Sequence, residues 1–217
     1  AAVHLGTSVV GLHDLTLQND HGPLDPRRPF EPFGPAPAVG SRLLVGHPEL
    51  IRNRLDTPGF LVEWMGAPKS LATHYANYTL PDGVKPDNLK FTAQISVVDH
   101  RRATTLAAAA PLFNETDARA AQTLKIAAPL PALPRSPEFT ARRDLVDWRR
   151  YLQWELTPLD FQHAAYPRLA AQKSVELSAA IVNKQELKAA DYQLAPPYTP
   201  KIKRLTVNYS TSAERLL

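Results

Sequence analysis

Seven histidines, His4, His13, His21, His47, His74, His100 and His163, are the residues of this chain best suited to hold a metal or move a proton. No two of them form an HExxH or HxH pair, the local spacings that bring two imidazoles to one face of a helix or strand. His13 adjoins Asp14 and Asp20 adjoins His21, but neighbours on a strand point to opposite faces, so neither pair makes an acid–base dyad. The absence of cysteine excludes disulfides, thiolate nucleophiles and thiolate metal sites together. GxSxG, P-loop and GxGxxG patterns are absent too, and nine glycines in 217 residues leave little material for phosphate-cradling loops. The acids of "LHDLTLQND" and "VVDHRR" would suit a glycosidase. Trp64, Trp148 and Trp154 would suit a sugar-stacking platform, although Trp64 and Trp154 sit in apolar strand patterns that read as core. We expect no catalytic residue, no metal and no cofactor.

The elements that must carry these residues read as mainly β. "VVGLHDLTLQN" alternates Leu12, Leu15 and Leu17 imperfectly and predicts a strand ended by Asn19, Asp20 and Gly22. "SRLLVG" and "GFLVEWMG" predict short strands, the second buried, and Pro48 with Glu49 predicts one short helix. "SLATHYANY" suits a short helix or a loop, and "PDGVKPDN" is turn chemistry. "LKFTAQISVVD" is the clearest strand, with Leu89, Phe91, Ala93, Ile95 and Val97 on one face; Phe91 and Ile95 are expected in the core. "ATTLAAAAPLFN" suits a strand or, given its alanines, a helix, and "QTLKIAAPL" a strand. "YLQWELTPLDF" and "PPYTPKIKRLTVNYS" predict two more strands. One long helix is expected in the segment from His163 to Ala190, where Leu169, Val175, Leu177 and Ile181 recur at roughly helical spacing and Pro167 suits the first turn. Without regular alternation of strand and helix, a doubly wound sheet is disfavoured. The expected fold is α+β, mainly β with helical insertions: an antiparallel β-sandwich-like module with one longer helix near its C-terminal end.

Composition places the chain among folded modules, with 44% hydrophobic residues and a net charge of +4. Its basic residues are scattered as Arg27-Arg28, Arg101-Arg102, Arg142-Arg143 and Arg149-Arg150, with Lys201, Lys203 and Arg204 near the end, which is not the concentrated pattern of a nucleic-acid surface. No apolar run approaches the roughly 20 residues of a membrane span, and no charged n-region or apolar h-region opens the chain. We expect neither nucleic acid nor membrane insertion, and no signal peptide. Residues 1–217 read as a single β-rich module, part of a longer polypeptide or a reduced form of one. Two proline-rich stretches interrupt it, an extended arm over residues 18–41 and a linker over residues 129–137. The arm carries Leu24, Phe30, Phe33 and Val39 among its prolines, which a disordered tail has little use for. A pre-stiffened chain also loses less entropy on docking, so the arm is expected to pack on its own domain or on a neighbouring subunit.

The segment "GLHDLTLQNDHGPLDPRRPFEPFGPAPAVGSRLLVGHPEL" resembles the LVLQNDQG-LDP-KPFQPFGPQP-VGS-FYIG segment of baseplate J-like proteins from contractile injection systems, the phage-tail-like particles. "YLQWELTPLDFQHAAYPRLAAQ" and "APPYTPKIKRLTVNYSTSAE" are similar, in the same order, to two later segments of that family. The family's FYIG stands here as Leu43-Leu44-Val45-Gly46, and its FGFGH is reduced to Phe161-Gln162-His163, at the cost of two glycines. The resemblance implies a non-enzymatic structural component of a baseplate, assembled in the cytoplasm into a phage-tail-like particle. Its implied partners are other baseplate and wedge subunits, with sheath or tube proteins as further neighbours. It casts Phe30, Pro32, Phe33 and Pro35 as the arm's packing anchors at a subunit interface and Arg27, Arg28 and Glu31 as a peripheral, salt-sensitive rim. A carbohydrate- or receptor-binding β-sandwich of such a particle and a hydrolase with a dispersed site are the alternatives.

Overall fold

A computed structural model describes residues 2–52, 55–78, 83–99, 102–126, 129–130, 150–184, 188 and 192–216. Along the chain run β1 (Ala2–Leu12), β2 (Thr16–Asn19), β3 (Gly22–Leu24), β4 (Arg42–Gly46), α1 (Glu49–Arg52), β5 (Gly59–Trp64), α2 (Leu71–His74) and β6 (Thr92–Asp99). They are followed by β7 (Arg102–Pro111), β8 (Gln122–Lys125), β9 (Arg150–Thr157), α3 (Tyr166–Val182) and β10 (Ile202–Leu216). Two sheets result, one ordered β1-β10-β5-β8 and the other β3-β2-β4-β9-β6-β7. Every pairing is antiparallel. The protein is thus mainly β, with few helices and one longer one. No helix among the described residues is long and apolar enough to cross a membrane.

The period-2 alternation of the strands decides which side chains meet. Leu17, Leu43, Val45, Ile95, Val97, Leu152 and Trp154 of the six-stranded sheet share one buried cluster with Phe60, Val62, Trp64, Leu124, Leu205 and Val207 of the other. Phe60 and Trp154 meet edge to face across it, with ring centroids 4.8 Å apart at 82°. Leu44, Val98 and Tyr151, each one residue out of phase with a core position, form a smaller cluster on the opposite face. Trp64 is also buried and donates its indole N–H to the Leu112 carbonyl at 2.6 Å. Two of the three tryptophans are therefore core, and Trp148 lies outside the described residues.

Several sequence expectations shift in instructive ways. The single strand expected over "VVGLHDLTLQN" is two strands in different sheets. Gly11 adopts a left-handed φ of 79°, and a tight Leu15 N–H to His13 carbonyl bond of 2.8 Å redirects the chain. Leu89 does not share the Phe91 face, because the Asp87 carboxylate accepts from the N–H groups of Leu89 and Lys90 at 2.7 and 2.9 Å and holds both in a turn before β6 begins. The alanine-rich stretch of β7 is a strand, its ladder with β6 overriding alanine's helical preference. The long helix ends at Val182, short of Ala190, with Asn183 as its C-cap. Of its expected apolar stripe Leu169 is buried, whereas Val175 and Ile181 are 69% and 57% exposed. Of the proline-rich linker over residues 129–137, only Pro129 and Leu130 are described.

Phe91 is fully buried, stacked on Phe161 at 4.8 Å and flanked by Tyr75 and Phe113. Removing the ring leaves a cavity walled by other rigid rings, which relax little. Phe91→Ala is expected to lower the unfolding free energy by about 3–5 kcal/mol in a urea titration; a loss below about 1 kcal/mol would contradict this packing.

Candidate functional site

The proline-rich stretch over residues 18–41 carries the residues that the sequence singles out as a candidate site. Its first part is a hairpin: β2 and β3 pair through Asn19 opposite Gly22, and the Asn19 carboxamide accepts from the His21 N–H at 2.8 Å. The same carboxamide donates to the Glu31 carbonyl at 2.9 Å, tying the hairpin to the loop that follows. Asp20 reaches across to Arg42, accepting from its backbone N–H at 2.7 Å and its Nε at 2.8 Å. Asp25 accepts from the Arg27 N–H at 3.0 Å, the local Asx turn expected of "LDPRR".

From there the chain is stitched to both sheets. Phe30 and Ile202 exchange backbone hydrogen bonds of 3.0 and 2.8 Å, joining the loop to the first residue of β10. Ten residues on, the Gly40 N–H donates to the Leu156 carbonyl at 2.9 Å, and the Leu156 N–H donates to Ser41 at 3.0 Å. Gly34, at φ 80°, lies beneath the His21 ring so closely that a Cβ would overlap it. Between hairpin and loop runs a groove of about 380 Å³ lined by His21, Pro23, Leu24, Glu31, Pro35 and Lys201, with the Glu31 and Lys201 charges 3.8 Å apart.

The residues expected at an interface divide sharply. Phe30 and Phe33 are 6% and 2% exposed, and Pro32 is buried with them. These rings are buried in the chain's own core, which is the own-domain side of the two packings expected of the arm. The cause is the Phe30–Ile202 bridge, which turns the loop inward where the two sheets meet. Arg27, Arg28 and Pro35 are exposed along the rim, Arg28 only loosely paired with Asp25 at 3.7 Å. Sequence reasoning missed His21, Asn19 and Lys201 as partners of the stretch. The Asn-Asp-His-Gly turn is a usable signal for the first two, but Lys201 comes from the residue just before β10, distant in sequence.

A second groove, of about 410 Å³, lies between α2 and the loop before β10, lined by Thr73, His74, Asn77, Gln193, Leu194 and Ala195. It is braced by hydrogen bonds: Asn77 donates to the Gln193 carbonyl at 2.7 Å, the Tyr78 hydroxyl to Ala195, and His74 Nε2 lies 2.9 Å from the Pro196 carbonyl. His163 Nε2 sits 2.8 Å from the Thr199 hydroxyl, which in turn donates to Pro35 at 3.4 Å. Its Nδ1 is buried and lacks a partner among the described residues. Gln162, beside it, holds a left-handed φ of 63°. Asp160 supports this backbone by accepting from the Gln162 N–H at 2.8 Å and its carboxamide at 2.6 Å. Among the described residues no three histidine, aspartate or glutamate side chains converge. What the geometry offers is shape: a stiff rim, two arginines and shallow grooves.

Two measurements follow from this placement. Replacing Phe30 and Phe33 together by serine removes two buried rings, so the isolated chain is expected to lose at least about 4 kcal/mol in denaturant; an unchanged midpoint would mean that the rings are not core. Burial pushes the pKa values of His47, His74 and His163 down, against opposing carboxylates at His47 and His163 and the Pro196 carbonyl at His74. The unfolded chain then binds more protons than the folded one below the ordinary histidine range. Stability is full above about pH 7 and falls as pH drops through roughly 6.5. His163→Gln is expected to flatten that slope in urea midpoints taken across the range, and an undiminished slope would remove His163 from the account.

A family model for the PVC11-like baseplate protein matches residues 3–215. No curated protein matches the chain. The match spans almost every strand described above, including the whole proline-rich stretch and the β10 strand that it clasps. It supports the resemblance read in the sequence at the level of a baseplate component of a phage-tail-like system; the chain belongs to the PVC11-like baseplate protein family.

Proposed function

We propose that the protein is a non-enzymatic wedge component of a contractile particle's baseplate, and that the proline-rich rim is one of the surfaces by which it holds a neighbouring subunit. The observation that carries this reading is the division of labour within the stretch. Phe30, Pro32 and Phe33 are anchored inside, which fixes the shape of the rim, while Arg27, Arg28 and Pro35 face outward from it. A loop already ordered by its own core surrenders little further entropy when a partner covers it. Contacts to guanidinium groups on such a rim supply orientation and salt sensitivity more than raw affinity. The finer likeness to baseplate J-like proteins and a face-to-face sandwich of the two sheets around the shared core belong to the same proposal. Neighbouring baseplate subunits, with sheath or tube proteins beyond them, are the partners it envisages.

Reversing charge at Arg27 and Arg28 tests the proposal without touching the core. The double variant Arg27→Glu and Arg28→Glu is expected to keep the wild-type unfolding free energy within about 0.5 kcal/mol. Particle yield, counted by electron microscopy of purified baseplates, is expected to fall severalfold and the defect to deepen as salt is lowered. Normal yield at every ionic strength would exclude this rim as an assembly contact.

A further inference from the structure

The two sheets have four outer edges, and they are not treated alike. β3 is three residues long and contains Pro23. β8 has four residues and an exposed Lys125. β7 opens with Arg102, closes with Pro111 and loses register twice against β6. Short length, proline, charge and irregular register are the usual devices that stop an edge from recruiting a foreign strand. β1 has none of them over its first eight residues: "AVHLGTSV" contains no proline, lysine, arginine, aspartate or glutamate. Its register with β10 is unbroken from Ala2 opposite Leu216 to Val9 opposite Tyr209.

This edge is also the part of the fold with least support. β5 pairs with β10 as far as Asn208 opposite Gly59 and the Asp56 N–H still donates to the Ser210 carbonyl at 2.8 Å, so Thr211–Leu216 and Ala2–Thr7 continue as a ribbon of two strands. Among the described residues no strand lies on the outer side of β1. Two strands alone are marginal in water, and a third satisfies a full row of main-chain donors and acceptors.

We propose that the outer edge of β1 pairs with β1 of a second copy of this chain, antiparallel about a two-fold axis at Gly6, joining two four-stranded sheets into one. The register of the strand points to a second copy rather than to an unrelated strand. Centred on Gly6, antiparallel pairing sets Val3 opposite Val9, Leu5 opposite Thr7, His4 opposite Ser8 and Gly6 opposite itself. Valine meets valine and glycine meets glycine, Leu5 and His4 face the small hydroxyl residues Thr7 and Ser8, and no carboxylate, lysine or arginine is brought against another. Such an isologous contact closes at two copies. It is independent of the rim proposed above and adds a contact between identical chains.

The chain lacks cysteine, so single thiols report on this register cleanly. A Cβ at Gly6 meets nothing within 4 Å in the folded chain, and Gly6 is not among the glycines with positive φ, so Gly6→Cys and Gly6→Lys are both accommodated in a single copy. Directly opposed residues of an antiparallel pair stand about 4.5–5.5 Å apart, within disulfide range. In a glutathione redox buffer Gly6→Cys is expected to give a disulfide-linked dimer. Val10→Cys, equally exposed but about 27 Å from its own copy at ~3.4 Å per residue, is expected to stay monomeric on a non-reducing gel. By sedimentation at tens of micromolar the wild-type chain is expected to be dimeric and Gly6→Lys monomeric, the variant still unfolding cooperatively in urea but with a midpoint that no longer rises with protein concentration. A monomeric wild type, a dimer indifferent to Gly6→Lys, or equal cross-linking at the two positions overturns the proposal, including the case in which β1 binds only a strand of different sequence.

Discussion

The reciprocal pair of backbone hydrogen bonds between Phe30 and Ile202 is the constraint on which the rest of the molecule turns. It joins a loop from the first part of the chain to the first residue of the last strand, and so closes the fold over most of its length. The loop is fastened a second time at Gly40 and Ser41 to Leu156 of β9, the strand flanked by β4 and β6. One short segment is therefore bonded to a strand of each sheet, and the two phenylalanines within it belong to the buried cluster that both sheets share. Prolines suit this task for a reason separate from any partner. They lower the entropy of the unfolded segment and have no N–H of their own to satisfy when buried, as Pro32 and Pro37 are.

Around that clasp an aromatic cluster takes over from the strand ladders. Tyr75 of the α2 region, Phe91 before β6, Phe113 after β7, Phe161 after β9 and Tyr198 before β10 meet with centroid separations of 4.8–6.4 Å. All five lie outside the strands proper, so rings rather than ladders hold these connections together. Tyr75 adds polarity to the joint: its hydroxyl donates to the Phe161 carbonyl at 3.2 Å and accepts from the Tyr198 N–H at 3.1 Å. Burial pushes the Tyr75 phenol well above its ordinary pKa and lifts Tyr198 to about 12, so both remain neutral donors throughout the physiological range. Truncating either leaves buried backbone groups without partners as well as a void.

Much of the β architecture was legible because alternation is a local property. Phe60, Val62 and Trp64 in β5, Ala93, Ile95 and Val97 in β6, and Leu205, Val207 and Tyr209 in β10 announce a buried face from their own spacing. What escaped depends on groups far apart in sequence or on one glycine. Nothing in "VVGLHDLTLQN" forces Gly11 into a left-handed turn except the need of β1 and β2 to join different sheets. Leu89 kept strand spacing but lost its place to the hydrogen-bonding reach of Asp87. The helical stripe of α3 was read as a packing face, yet the described residues bury little beyond Leu169 and Ala180. For the candidate site, composition identified the stretch but not its orientation. Two phenylalanines amid prolines signal burial somewhere, and only the distant Ile202 decides that the burial is internal.

That orientation changes what kind of contact the rim can make. Had the rings faced outward, assembly would rest on hydrophobic anchors and the free chain would carry an apolar patch prone to aggregation. With the rings inside, the outward residues are Arg27, Arg28 and Pro35, beside the Glu31–Lys201 pair. A partner reads such a surface by shape and charge, with small free energies per contact and strong dependence on geometry. For the assembly surface proposed above, this arrangement keeps the apolar groups out of the contact. Contacts of that type re-form in a new register without exposing a core, because the groups that would be ruinous to uncover never leave their own domain.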